Sequence, residues 1–194
     1  MAQKKIVQDQ SVLEQALLVI SKHGPDCFTL ADVGKAVGLA PATLLQRFGS
    51  KQQLLVLAAK QATASLQQEL QTLKAKNLTW DKELIRLLAG LPKGFGSRQD
   101  IASSLGLLKL DMIDPELHPI ARELFNTLRG RIQELLLSGQ KSGQIGAFCD
   151  PEIVMWELDA LRHGLVIQWT LSGKGTLQKW IKNGFQTYLK RIMV

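Results

Sequence analysis

Arg47 and Lys51 place two cations, and Thr29 a hydroxyl, close to a stretch that offers them no counter-charge. From Val33 to Gln68 the chain carries Lys35, Arg47, Lys51 and Lys60 and no acidic residue. Guanidinium and ammonium groups without local acids suit a polyanion, and phosphate is the group they would neutralise. The formal net charge of +7 on 194 residues agrees with such a partner, but the distribution says more than the total. A second basic cluster, Lys174, Lys179, Lys182, Lys190 and Arg191, reads as a solvated helix face and not as a DNA site. Lys4 and Lys5 lie in a polar leader that could reach a neighbouring groove or backbone.

The elements that must hold these groups can be read from caps and breakers. Thr29 with Asp32 forms a capping box that starts a helix at Leu30, and Leu30, Val33 and Val37 give it an inward face. Gly38 stands where that helix needs a left-handed residue to stop. Pro41 suits the first position of a new helix, because the N–H it lacks would have no partner there. That second helix, residues 41 to 47, is too short to be stable alone and needs Leu44 and Phe48 as apolar anchors. Gly49 ends it, and Ser50 with Gln53 opens the next helix, putting Lys51 in a first turn whose free backbone N–H groups also attract an anion. Two short helices joined by a glycine turn form a helix-turn-helix, which sets one small helix in the major groove of DNA.

Thr29, Ala31, Gly38, Leu39, Thr43, Leu44, Phe48, Ser50, Lys51, Leu54 and Leu55 stand at the spacing of a known pattern. Over Val12 to Ala59 the chain resembles the N-terminal domain of the TetR family of bacterial repressors. Leu45 stands where that family usually has Tyr, Ala40 where it has a Ser or Thr cap, and Gly34 where Ala is common. In a helix interior that glycine costs about 1 kcal/mol. The resemblance implies base-edge contacts from Ala40, Pro41, Ala42, Thr43 and Gln46. Ala42 or the Thr43 methyl would meet a thymine methyl, and Gln46 would pair with adenine. Thr29, Arg47 and Lys51 are better placed for phosphates.

Periodicity gives about nine helices and no convincing strand, an all-α fold. The expected division is a helix-turn-helix domain over residues 1–55 and a helical ligand-binding and dimerisation domain over 56–194. A first helix runs from Asp9 to His23, and a long fourth one from Lys51 to about Leu73 links head and body. A fifth runs from Trp80 to Ala89 with Thr79 as cap, and a sixth ends near Asp111. Pro119 predicts a kink or a short turn, with the main seventh helix from Pro119 to Lys141. Asp150-Pro151 opens an eighth helix, apolar on most sides, and a ninth repeats apolar residues from Leu177 to Ile192. These last two helices can complete a monomer core or pair with a second chain; the resemblance implies the latter, a homodimer. Phe95, Met112, Phe125, Trp156, Arg162 and Trp169 could line a cavity for a small-molecule effector, although aromatics and Met at this spacing more often form ordinary core. Asp159 and Arg162 can pair with each other at i,i+3.

No catalytic constellation, metal-ligand spacing or cofactor motif is apparent, so an enzyme is not expected. Cys27 and Cys149 are isolated and imply neither disulfide nor zinc. No segment has the apolar length of a membrane span and no signal peptide is evident, so a cytoplasmic protein is expected. The reading that follows is a transcriptional regulator, a repressor that binds a palindromic operator as a dimer and is released by a small molecule. The alternative is a helical small-molecule-binding or interaction protein without sequence-specific DNA binding.

Overall fold

The computed structural model describes residues 7–74, 76, 78–90 and 97–194. Among the described residues there are nine helices and no strand: α1 (Asp9–His23), α2 (Leu30–Val37), α3 (Pro41–Phe48), α4 (Lys51–Lys74), α5 (Trp80–Leu88), α6 (Arg98–Ile113), α7 (Leu117–Lys141), α8 (Pro151–Ser172) and α9 (Leu177–Ile192). They form two compact units, Met1–Leu66 with Ser97–Leu124 and Gln67–Gly96 with Phe125–Val194.

The first unit is closed by an apolar core. Val12, Ala16 and Ile20 from α1 meet Phe28, Val33 from α2, Leu44 and Phe48 from α3, and Leu54, Leu55 and Ala58 from α4, all buried. Leu107 and Leu110 of α6 and Leu117 of α7 pack against the same cluster. Gly106 lets α6 lie close to the α1–α2 turn, since a Cβ there would come within 3.0 Å of Pro25 Cδ.

Of the kink or short turn expected before α7 the chain takes the turn, over residues 115–116, but the helix starts at Leu117 and not at Pro119. Asp114 Oδ1 accepts from the N–H of Glu116 (2.9 Å) and of Leu117 (3.0 Å), so the helix begins before Pro119. Pro119 then falls in the first turn, where N–H groups have no intrahelical acceptor, and its missing donor disturbs nothing. Thr79 holds the N-cap position of α5, as expected, but its side chain makes no capping bond.

In the second unit, Trp80, Leu84 and Leu88 of α5, Ile132, Leu135 and Leu136 of α7, Leu158 of α8 and Ile181, Phe185 and Leu189 of α9 are buried. Helices α8 and α9 come close because Gly184 carries no side chain; a Cβ there would sit 2.6 Å from Leu165 Cδ1. An isolated antiparallel bridge between Ile145 and Met193 ties the α7–α8 loop to the end of α9. Gly146 N donates to Ile192 O at 3.1 Å and Val194 N to Gln144 O at 3.2 Å. Among the described residues no helix is long and apolar enough to cross a membrane, and no cluster of His, Cys, Asp or Glu could hold a metal ion.

Candidate nucleic-acid interface

The capping box at Thr29 is complete. The Thr29 N–H donates to Asp32 Oδ2 at 2.8 Å, its hydroxyl donates to the same oxygen at 2.7 Å, and Asp32 N donates to Thr29 Oγ1 at 3.2 Å. These bonds hold the Asp32 carboxyl below its usual pKa, the side-chain bond from Thr29 first. Gly38 stops α2 in the left-handed region, at φ 71° and ψ 31°.

The turn gives Gly34 a purpose that helix propensity does not reveal. A Cβ at this position would stand 2.4 Å from Leu39 O. Leu39 N donates back to Gly34 O at 2.9 Å, so the chain folds directly over the glycine. The missing side chain thus allows the tight approach of α2 to the segment leading into α3, and offsets its helix-propensity cost.

Helix α3 begins with Pro41 at its first position and has no side-chain cap, as Ala40 requires. Leu44 (0% exposed) and Phe48 (6%) anchor one side. On the other side Ala40, Pro41, Ala42, Leu45 and Gln46 are exposed and Thr43 is half-buried. The five residues expected to meet base edges therefore share one accessible surface, and Leu45, 49% exposed, stands beside them.

The expected phosphate ligands all have partners within the first unit. Arg47 pairs with the exposed Asp9 at the start of α1, donates to Val7 O at 2.9 Å and lies 5.5 Å from the Phe48 ring centroid. Lys51 Nζ donates to Asp26 O at 3.2 Å and stands 4.4 Å from the Phe28 ring centroid. An ammonium has three donors, so Lys51 keeps capacity for a phosphate from this fixed position. The Thr29 hydroxyl is committed to its capping box. Asp9 and Phe28 were missed as positioning groups because contacts this far apart in sequence leave no periodic trace.

Of the residues expected to line an effector cavity, Phe125 and Trp156 both lie beside the Arg129 guanidinium. Phe95, like Lys4 and Lys5, lies outside the described residues. Met112 is in the first unit and 63% exposed. Trp169 is buried near the end of α8, its Nε1 donating to Gly175 O at 3.2 Å. Trp156 is half exposed, and its ring centroid lies 4.3 Å from the Arg129 guanidinium, which is also 5.8 Å from that of Phe125. Asp159 pairs with Arg129 of α7 at 2.8 Å, and not with Arg162 as expected from their spacing.

The profile of the tetR family of bacterial regulatory proteins matches residues 12–58. The profile of the BetI-type transcriptional repressor C-terminal region matches residues 86–192, more than half of the chain. No curated protein matches the sequence. The fold is shared with a putative transcriptional regulator from Saccharomonospora viridis solved in complex with choline: TM-score 0.78, 20% identity, 94% of this chain and 96% of that one covered. A TetR-family regulator from Agrobacterium tumefaciens has a TM-score of 0.75 at 19% identity, covering 96% of this chain and all of that one (100%). FadR from Bacillus subtilis, solved in complex with stearoyl-CoA, has a TM-score of 0.65 at 16% identity and covers 93% and 97%. Regulators of this family are generally non-enzymatic. A helix-turn-helix with an accessible second helix, carried by a chain matched along most of its length, identifies this protein as a DNA-binding transcriptional regulator of the TetR family with a BetI-type C-terminal region.

Proposed function

We propose that this protein is a repressor that binds a near-palindromic operator as a homodimer and releases it when a small molecule enters the second unit. The observation that carries the reading is the one-sided burial of α3: Leu44 and Phe48 hold the helix while Pro41, Ala42 and Gln46 stay accessible. In this reading Ala40, Pro41, Ala42, Thr43 and Gln46 face base edges, and Lys51 meets a backbone phosphate. Arg47 does the same once DNA competes with Asp9 for its guanidinium, and Thr29 contributes mainly by starting α2. Residues 1–55 act as the DNA-binding domain and 56–194 as the effector and dimerisation domain, in the bacterial cytoplasm, where the operator is.

The dimer face is assigned to α8 and α9. Ile153 (58% exposed), Trp156 (50%), Ile167 (40%) and Leu171 (72%) form an apolar stripe along α8. Such a stripe on a soluble chain suits a second copy, because burying it removes apolar surface from water. Half-site readers on a dimer must lie about 34–36 Å apart or a multiple of it, so a ligand that shifts them breaks the match. A coupling of about 1–3 kcal/mol changes occupancy about 5- to 150-fold. Relatives of the same fold have been solved with choline and with stearoyl-CoA, which supports a small-molecule ligand for this chain.

Selection of duplexes from a random pool tests this directly. The expected product is a symmetric site bound by one dimer, with affinity falling steeply as salt rises. Asymmetric or random sequences in the bound pool would leave the alternative of a helical binding protein.

A further inference from the structure

The side chains on the open face of α3 limit the chemistry by which it can read DNA. Ala40, Pro41, Ala42, Leu45 and Gln46 are exposed there and Thr43 is half-buried. Of these six, only Thr43 and Gln46 carry a side-chain donor or acceptor. Arg47, the one charged side chain of α3, is drawn to Asp9. Leu45 follows Pro41 by four residues and Ala42 by three, so the three form one apolar strip along the helix.

An exposed leucine alone says little, but the setting of Leu45 is particular. Among the described residues from 7 to 74 it is the only large apolar side chain left in the open. The apolar cluster of the first unit takes Leu44 and Phe48 from α3 and leaves Leu45 outside. A partner with an apolar group would remove that surface from water. In the major groove the sequence-dependent apolar group is the C5 methyl of thymine, whereas phosphate and sugar carry no sequence information. The methyl stands at the side of the groove next to its own strand. Leu45 stands correspondingly at the edge of the open face, one turn from the buried Phe48.

We propose that Leu45 packs on a thymine methyl and is a specificity-determining residue, so that this chain recognises its site in part through methyl groups and not through hydrogen bonds alone. This rests on the reading above that the open face of α3 meets base edges, and it adds to that face a residue that can neither donate nor accept.

The test uses the full-length protein and the duplex it enriches from a random pool, with affinity read by fluorescence anisotropy at one fixed salt concentration. Each thymine of the site is replaced in turn by 2′-deoxyuridine, which keeps the base pair and the O4 acceptor and removes only the methyl. At one thymine or more, the wild-type protein is expected to bind about fourfold more weakly, the worth of one buried methyl. Leu45→Ala should bind the unmodified duplex at least as much more weakly and be indifferent to that replacement. Leu45→Met, which still reaches the methyl, should keep part of the preference. Leu45→Ala should melt within about 2 °C of the wild type, because a half-exposed residue outside the core carries little stability. The proposal is overturned if no thymine methyl matters, if the same methyl matters equally to Leu45→Ala, or if that variant melts far lower. It is also overturned if Leu45→Ala weakens thymine and uracil duplexes alike, which would set Leu45 against sugar and backbone. If no sequence is enriched at all, the base-edge reading fails with it; an enriched site without methyl dependence defeats the Leu45 assignment alone.

Discussion

The two units treat buried charge differently. In the first, the core from Val12 to Leu117 is apolar, and Ser21 and Thr63 are the buried polar residues among those described. In the second, Glu83 and Asp159 are buried with their arginines. Arg131 holds Glu83 Oε1 through Nε at 2.9 Å and Nη2 at 2.6 Å, and reaches Glu134 Oε2 at 2.6 Å. Lys74 of α4 meets the same Glu134 oxygen at 3.1 Å. Hydrophobic burial holds the head in one shape with little dependence on solutes. Buried ion pairs make the body sensitive to any charge that enters or leaves, because each group depends on its partner.

Phe48→Ala should separate the two regions most strongly. It removes a fully packed ring from the first unit and is expected to cost about 3–5 kcal/mol, with DNA binding lost, as read by denaturant unfolding and a gel-shift assay. If stability fell but DNA binding persisted, α3 would not depend on its anchor.

Glu83→Ala makes the matching cut in the second unit. It leaves the part-buried Arg131 guanidinium with the exposed Glu134 alone, and about 2 kcal/mol should be lost in the same unfolding experiment. Replacing Glu83 and Arg131 together by Leu and Met should recover most of it, since the pair's attraction and its desolvation nearly cancel. A double variant as unstable as the single one would show that the pair contributes more than this balance.

Gly34→Ala sharpens the comparison within the head. On helix propensity alone it should stabilise by about 1 kcal/mol. The contact with Leu39 O reverses the sign, and a loss of about 1–3 kcal/mol is expected from thermal melts. A higher melting temperature would contradict the turn geometry.

The smallest effect concerns Asp111, a half-buried acid at the end of α6 in the first unit. Burial pushes its pKa up to about 6, against a lowering influence from His118. A raised folded-state pKa means that the folded protein holds the proton more tightly. Its stabilising share is therefore present below the ordinary carboxylate range and is lost as pH rises to about 6. Asp111→Asn should stabilise the protein by about 1 kcal/mol at pH 7, after allowance for solvent screening, and flatten the pH dependence between about 4 and 6. An unchanged slope would place the titration elsewhere.

The helices were legible wherever a local device starts or stops them. Thr29, Gly38, Pro41 and Asp150 act within a few residues of themselves, so their effects follow from sequence order. The site was legible to the same extent: α3 and its anchors lie within one short helix, and α3 faces outward as its spacing implies. Residues brought together from a distance were not. Asp9 reaches Arg47 across the helix-turn-helix, and Arg129 takes Asp159 from a sequence neighbour that had seemed the natural partner. Gly34 was misjudged for the same reason, because its cost is local and the Leu39 carbonyl that justifies it belongs to the turn. The aromatics of the body gave no signal beyond apolar spacing, which core and cavity share.

The clasp between Ile145 and Met193 has a mechanical consequence. It fastens the last turn of α9 to the loop that leads into α8, so the ninth helix cannot ratchet lengthwise past its neighbour without tearing two backbone bonds.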